Sequence, residues 1–231
     1  MMQLDFGDIE DVAGLYAFIS NRAKICTPPY KIKIIAGCDV HYGDMAYASC
    51  IIYDIEDSVV VEQVDVRTPI MRDYKPGLFA LREAPPIVEA LKRVYSDVQC
   101  IVVDGHGIAH PKGAGLATFI GIIFDRPSYG VAKNRLVGEY NMPGNHKGAW
   151  EPLYFNGEKV GEVIRTRANT KPIFVSPGHK IDFTTARELT LKLAKRSKIP
   201  EPLRLSHLRA KEMVKLLKKG RVMWKRDSRS V

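Results

Sequence analysis

The sequence predicts an α/β protein built on one mixed β-sheet with helices on both faces. Three strand-like segments rich in β-branched residues follow one another at residues 32–42, 46–56 and 59–68. Short links between such segments are typical of an antiparallel meander. After residue 86 strand-like and helix-like segments alternate, which is typical of parallel strands joined by crossover helices.

The remaining elements follow from hydrophobic periodicity and from the turn residues between them. We expect a first helix within residues 8–24, and a loop rich in Pro and Gly at residues 73–86 that leads to a second helix. This second helix is expected at residues 87–97, and the later helices at residues 115–125, 184–197 and 203–219. Further strands are expected at residues 98–104 and 128–132, with a hairpin within 150–176. The prediction is a five-stranded mixed sheet, in the element order of ribonuclease H-like nucleases.

Charge is unevenly distributed along the 231 residues. The formal net charge is +9. Residues 187–231 hold 15 Lys and Arg against 4 Asp and Glu, whereas residues 1–186 hold 20 against 22. A basic C-terminal region favours a polyanionic partner, with nucleic acid as the first candidate and an anionic membrane as the second. We expect one domain over residues 1–231, with a basic helical region at 184–231.

The cysteines and the N-terminal segment bear on the cellular compartment. The four cysteines form no C-x-x-C pair, which argues against a zinc ribbon and against a secreted disulfide scaffold. The N-terminal segment lacks the features of a signal peptide, and no apolar run approaches the roughly 20 residues of a spanning helix. We therefore expect a cytoplasmic, monomeric protein without a membrane partner.

Two acidic residues follow apolar strand-like runs. Asp39 follows the run IKIIAGC, and Asp104 follows CIVV. A buried carboxylate is costly unless it is hydrogen-bonded, ion-paired or bound to a metal. If the first and fourth strands are neighbours, both acids reach one sheet edge, where their oxygens suit Mg²⁺ or Mn²⁺. Taken singly, each acid equally fits a turn residue at the end of a strand.

A third acid, Glu83, lies where the loop leads into a helix. It fits an acid in the first turn that complements the helix dipole. Together with the two strand-end acids, it also fits a metal site at one edge of the sheet. Asp182 fits a helix N-cap better than a fourth metal ligand.

Six sequence blocks resemble the endonuclease V family and occur in the order of that family. They are IAGCDVHY, DYKPGLFALRE, DGHGIAHP, GVAKNRLVG, VSPGHKID and PEPLRLSH, which span residues 35–207. The resemblance implies a ribonuclease H-like fold and an endonuclease that uses Mg²⁺, with Mn²⁺ as a substitute. It further implies recognition of hypoxanthine, as deoxyinosine in DNA, and a nick at the second phosphodiester bond 3′ to the lesion. Activity on inosine in RNA is left open.

The resemblance also assigns residues to the active site. The family's metal-binding acids match Asp39, Glu83 and Asp104, and its further active-site positions match His110, Lys133 and His207. The family's wedge motif, Pro-Tyr-Ile-Pro, matches Asp73-Tyr74-Lys75-Pro76. The leading proline is therefore absent from this chain, while the aromatic residue and the second proline are present.

Each assigned residue has an expected role beside a plainer alternative. Lys133 is expected to stabilise charge on the phosphate or the leaving oxygen, although most lysines are solvated surface residues. His207, near the start of the last helix, is expected to be neutral because of the helix dipole. We expect His110 to fold back over the metals, and His106 to bond the backbone. For His207 the alternative is an ordinary half-buried helix histidine.

A purine that is flipped out of the nucleic acid needs a pocket with close backbone approach, which glycine permits. The candidate substrate-binding residues are the wedge residues Tyr74 and Pro76, the pocket glycines Gly77, Gly105 and Gly107, and the apolar faces Phe79 and Leu136. The alternative is that these glycines only serve turns.

Two other functions compete with an inosine-specific endonuclease. A general ribonuclease H-like nuclease or junction resolvase would keep the metals and lack the base pocket. A non-catalytic nucleic-acid binder would use the basic helices and leaves the acids at two strand ends unexplained.

Overall fold

A computed structural model of the chain describes residues 6, 9–73 and 77–218. Its helices are α1 Val12–Ser20, α2 Phe79–Leu91, α3 Leu116–Phe124, α4 Phe183–Leu193 and α5 Glu201–Lys218. Its strands are β1 Ile34–Tyr42, β2 Ala46–Asp54, β3 Val59–Thr68, β4 Cys100–Asp104, β5 Ser128–Ala132, β6 Trp150–Phe155, β7 Glu158–Ile164 and β8 Ile173–His179. Within these residues, no helix is both long and apolar enough to cross a membrane.

The strands form one mixed sheet in the order β3-β2-β1-β4-β5-β8-β7-β6. The predicted antiparallel meander of β1, β2 and β3 is confirmed, and β1, β4 and β5 are parallel as predicted. The predicted number of five strands is wrong, because eight strands join the sheet. Strand β8 pairs antiparallel with the free edge of β5, and it brings the β6–β7 hairpin into the same sheet.

Helices cover both faces of the sheet, and alternate residues of each strand pack on opposite faces. On one face Ala36 packs with Leu81 of α2 and Phe119 of α3 in a single apolar cluster. On the other face the adjacent residue Ile35 packs with Leu203 of α5 and residues of α4. The sheet edge at which β4 and β5 end therefore lies between two helical layers.

Helix α2 begins earlier than predicted. It starts at Phe79, within the segment predicted to be a loop, and includes residues 83–86. Glu83 is therefore the fifth residue of the helix and is buried, so the interpretation of it as a first-turn acid is wrong.

Two prolines lie inside α2, and a neighbouring strand compensates one of them. Proline has no N–H to donate within a helix, so the carbonyl four residues earlier loses its usual partner. For Pro86 that carbonyl belongs to Arg82, and the hydroxyl of Tyr42 donates to it at 3.1 Å. This hydrogen bond ties α2 to the end of β1.

Helix α4 starts at the predicted cap. The side chain of Asp182 accepts a hydrogen bond from the backbone N–H of Thr185 at 2.7 Å. The N-cap prediction is thus confirmed, and Asp182 serves the helix start.

Helix α5 lies directly against β1 at a glycine. A Cβ atom at Gly37 would lie 2.4 Å from the carbonyl carbon of Pro202 and 2.5 Å from the backbone nitrogen of Leu203. Only a residue without a side chain permits this contact. It places the first turn of α5 against Gly37, which lies two residues before Asp39 in β1.

We expect Gly37→Ala to lower the free energy of unfolding by about 1–3 kcal/mol, because the added methyl group must displace helix backbone. Urea unfolding followed by circular dichroism measures the change. Gly144→Ala is the control, because the nearest atoms there belong to the side chain of His146, at 3.2 Å. Equal stability of the two variants would contradict the role of Gly37.

Candidate active site

Two carboxylates meet at the edge where β4 ends. Strands β1 and β4 pair in parallel, with Cys38 opposite Val103, so the next residues, Asp39 and Asp104, lie side by side. Asp104 is the last residue of β4, as predicted. Asp39 is not at a strand end, because β1 continues to Tyr42 in its pairing with β2.

A histidine from α5 completes a group of possible metal ligands. The Nδ1 atom of His207 lies 2.7 Å from Oδ2 of Asp39. One ligand atom from each of Asp39, Asp104 and His207 lies within 4.8 Å of the other two, so this group can hold a metal ion. Strand pairing and helix packing together assemble it from positions 168 residues apart.

A neighbouring carboxylate, and not the helix dipole, shifts the pKa of His207. His207 is the seventh residue of α5, and the effect of the helix dipole falls off within the first turn. The hydrogen bond to Asp39 and the charge of that carboxylate instead raise the pKa of His207, and the charge of Asp104 adds to this.

Lys133 follows β5 and contacts the second carboxylate. Its Nζ atom lies 3.0 Å from Oδ2 of Asp104. Burial and the charge of Asp39 raise the pKa of Asp104, and the lysine partly offsets this increase. Lys133 therefore supplies positive charge directly beside the candidate metal ligands.

Glu83 points into the same charged region from α2. Burial, followed by the charge of Asp39, raises its pKa to about 8. Glu83 does not belong to the group of possible ligands formed by Asp39, Asp104 and His207. Its predicted place among the metal ligands thus stays a prediction.

His41 is a site residue that the sequence reasoning missed. Its ring meets the ring of His207 edge-on, with centroids 5.7 Å apart. Its position two residues after Asp39 was the available signal, because residues i and i+2 of a strand share a face.

A cavity of about 360 Å³ adjoins the carboxylates, on the side of α2 and α3. Its wall includes most of the predicted pocket residues and three of the predicted catalytic residues. The lining residues are Gly77, Phe79, Ala80, Asp104, Gly105, His106, His110, Gly115, Leu116, Ala132, Lys133, Asn134, Arg135 and Leu136. The wedge residues Tyr74 and Pro76 lie outside the described residues.

Gly107 is not among the residues that line the cavity, in contrast to its predicted role. Its backbone N–H donates to Oγ of Ser176 at 2.7 Å. A Cβ atom at Gly107 would lie 1.9 Å from the carbonyl oxygen of Pro177. Gly107 therefore allows the loop after β4 to pack on β8.

His110 lines the cavity together with Asp104 and is not part of the candidate metal group, so its predicted place over the metals stays a prediction. Its ring stacks on Tyr16 of α1, with centroids 5.4 Å apart. Burial lowers the pKa of His110 to about 4, so the imidazole is neutral at pH 7. The hydroxyl of Tyr16 donates to the carbonyl of Gly77 at 3.1 Å, so α1 supports two parts of the wall.

His106 bonds the backbone, as predicted. Its Nε2 atom lies 3.1 Å from the carbonyl oxygen of Asn134. Because a carbonyl only accepts, Nε2 carries the proton. This bond connects the loop after Asp104 to the segment that follows Lys133.

Comparison with known proteins agrees with this arrangement. The family profile described as endonuclease V matches residues 19–208. The chain belongs to the endonuclease V family. It is 38% identical over 202 residues to endonuclease V of Kosmotoga olearia, which covers 87% of this chain and 89% of that relative. Endonuclease V of Methanothrix thermoacetophila is 39% identical, over 77% of this chain and 80% of that relative. The resemblance and the prediction of a nuclease are thereby confirmed.

Solved endonuclease V structures share the fold. That of Streptomyces avermitilis superposes with a TM-score of 0.86 at 30% identity and covers 94% of this chain and 98% of that chain. A Ciona intestinalis endonuclease V, in complex with DNA that contains an inosine, superposes with a TM-score of 0.76 at 19% identity, over 88% of this chain and 95% of that chain. The predicted ribonuclease H-like fold is confirmed.

We expect Glu83→Gln to stabilise the protein in the absence of divalent ions. The native state holds the Glu83 proton up to about pH 8, whereas the unfolded chain releases it near pH 4.5, so wild-type stability falls as pH rises through this window. The advantage of the variant should grow from pH 4.5 and reach on the order of 3 kcal/mol at pH 7. Urea unfolding in EDTA across this pH range measures it.

Glu89→Gln is the matched control on α2, because Glu89 is half exposed and pairs with Arg93. That variant should follow the pH dependence of the wild type. A Glu83→Gln curve parallel to the wild-type curve would show that Glu83 is not protonated in the native state.

Proposed function

We propose that this protein is a Mg²⁺-dependent endonuclease that recognises hypoxanthine in a DNA strand and nicks the second phosphodiester bond 3′ to it. Such a nick starts the repair of deaminated adenine. The observation that carries the proposal is that one cavity of nucleobase scale shares Asp104 with the candidate metal group and is also lined by Lys133, the ion-pair partner of Asp104. The inosine-containing DNA held by the Ciona relative supports the same substrate class.

The donor atoms of the site fit a hard divalent ion. Asp39 and Asp104 offer carboxylate oxygens, which Mg²⁺ prefers, and His207 adds a nitrogen that Mn²⁺ also accepts. When bound, such an ion lowers the pKa of water and offsets charge on the phosphate. We therefore include Mn²⁺ as a substitute for Mg²⁺.

The protein's own side chains orient and neutralise charge around the ligands. His207, hydrogen-bonded to Asp39 through Nδ1, fixes the orientation of that carboxylate. Lys133 lies close enough to Asp104 to place an ammonium group beside the scissile phosphate, where it stabilises negative charge that develops in the transition state. Glu83 adds a third carboxyl group next to Asp39.

The cavity can accept a purine that has left the base stack. Phe79 and Leu136 offer apolar walls, and Gly105 lines the cavity without a side chain. Hypoxanthine differs from adenine in presenting an acceptor at O6 in place of an amino donor, so hydrogen-bonding groups of the wall can separate the two bases.

A panel of end-labelled strands tests the proposed substrate. DNA and RNA strands with a single hypoxanthine, uracil, mismatch or unmodified adenine are incubated with the protein and Mg²⁺, and the cut is mapped. We expect one product, cut at the second phosphodiester bond 3′ to hypoxanthine. Equal cleavage of the unmodified strand would instead indicate a general ribonuclease H-like nuclease, and the RNA strands decide whether inosine in RNA is a substrate.

We expect Asp104→Asn to reduce divalent-dependent nicking at least 100-fold, because it removes a charged oxygen ligand and the partner of Lys133. Single-turnover cleavage with Mg²⁺ measures the rate. Asp97→Asn is the matched control, since Asp97 is an exposed residue paired with Arg126. Nicking by Asp104→Asn within ten-fold of the control would rule out Asp104 as a ligand.

A further inference from the structure

Cations cluster on two loops beside the catalytic edge of the sheet. The loop 165–172 joins β7 to β8, and the loop 194–200 joins α4 to α5. Together with Lys133 they bring Arg167, Lys171 and Lys198 to one region, which we name the cation lane. Apart from Lys133, none of these residues belongs to the site described above.

Strand directions place the lane at the same edge as the active site. Strands β5 and β7 are both antiparallel to β8, so they run in the same direction and end at the same edge. In the β5–β8 ladder Ala132 lies opposite Phe174. Lys133 follows Ala132 directly, and Lys171 lies three residues before Phe174.

Three hydrogen bonds hold the two loops together. Oγ1 of Thr166 donates to the carbonyl of Lys198 at 2.8 Å, and Nη1 of Arg167 donates to the carbonyl of Arg196 at 2.8 Å. Nζ of Lys198 lies 3.4 Å from the carbonyl oxygen of Lys171. The lane is therefore a defined arrangement in which two side chains are held by backbone carbonyls.

The like charges of the lane act on one another. Burial lowers the pKa of Lys198, and the positive charges of Lys133 and Lys171 lower it further. Like charges gathered in this way are unfavourable in the free protein, and a bound polyanion relieves the repulsion.

Apart from Lys133, which pairs with Asp104, the residues of the lane lack the neutralising partners found elsewhere on the surface. Within residues 6, 9–73 and 77–218, Arg167, Lys171 and Lys198 have no carboxylate at ion-pair distance. By contrast, Lys31 and Lys33, at the start of β1, both pair with Glu56. A cluster of cations without carboxylate partners, next to the catalytic edge, is typical of a surface that binds a phosphate backbone.

We propose that the cation lane binds backbone phosphates of the strand that carries the lesion, outside the base cavity. This inference rests on the proposed function and extends it to the path of the substrate. The cavity lies on the side of α2 and α3, whereas the lane is built from the loops around α4 and α5, and Lys133 borders both. A strand whose base occupies the cavity must cross this edge, and lysines bind its phosphates without regard to sequence.

The double variant Lys171→Gln/Lys198→Gln tests the lane. Binding of a single-stranded oligonucleotide with one hypoxanthine is measured in EDTA at several salt concentrations, and cleavage is measured separately with Mg²⁺. Loss of two phosphate contacts should reduce the slope of log K against log salt by about 1.4. Between 50 and 200 mM salt the wild type should therefore lose about seven-fold more affinity than the variant. KM should rise, and kcat should stay unchanged.

Lys31→Gln/Lys33→Gln is the matched control, because it removes the same charge at the opposite edge of the sheet. It should keep the wild-type slope. An unchanged slope in the lane variant, or an equal change of slope in the control, would overturn the proposal. It would also be overturned if the lane variant lost binding to anionic lipid vesicles and kept its oligonucleotide binding unchanged. If the wild type cleaves without preference for hypoxanthine while the lane variant still has a lower slope, the proposed substrate is contradicted and the proposed phosphate binding by the lane is supported.

Discussion

The parallel pairing of β1 with β4 is the constraint on which the active site depends. It places Asp39 beside Asp104, and the buried carboxyl group of Glu83 faces them from α2. Burial, followed by repulsion from the charge of Asp39, raises the pKa values of Glu83 and Asp104. The positive charge of Lys133, which follows β5, offsets this repulsion, and His207 of α5 hydrogen-bonds to Asp39. The energetic strain is tolerable because a metal ion or a protonated group can relieve it.

The rest of the fold serves to hold these groups in place from two sides. On one face, the contact of α5 with Gly37 fixes the position of that helix along β1, so that His207 lies within hydrogen-bond distance of Asp39. On the other face α1 supports the cavity wall through Tyr16. Helix α5 thus holds the candidate metal group and α1 supports the cavity wall, while α2 contributes to both, through Glu83 and Phe79. A cavity for a base and a group of metal ligands can therefore lie next to each other at the end of β4.

Local patterns predicted much of this site. The acids after apolar runs mark Asp39 and Asp104, and the family resemblance adds Lys133 and His207, both of which the structure brings to the carboxylates. The cause of the pKa shift of His207 could not be predicted, since its position near a helix start is visible in the sequence and its partner Asp39, 168 residues away, is not. Gly107 was misplaced for the same reason, because its neighbours Ser176 and Pro177 come from β8.

The sequence by itself determined the element order, the antiparallel meander, the basic C-terminal region and the residues able to bind a metal, because each depends on local periodicity and residue type. The tertiary structure alone decided that eight strands form one sheet, that Glu83 is a buried acid with a raised pKa, and that the loops 165–172 and 194–200 join Lys133 in one charged surface. These features depend on which distant segments pair, and strand pairing and burial are set by the whole chain rather than by any segment of it.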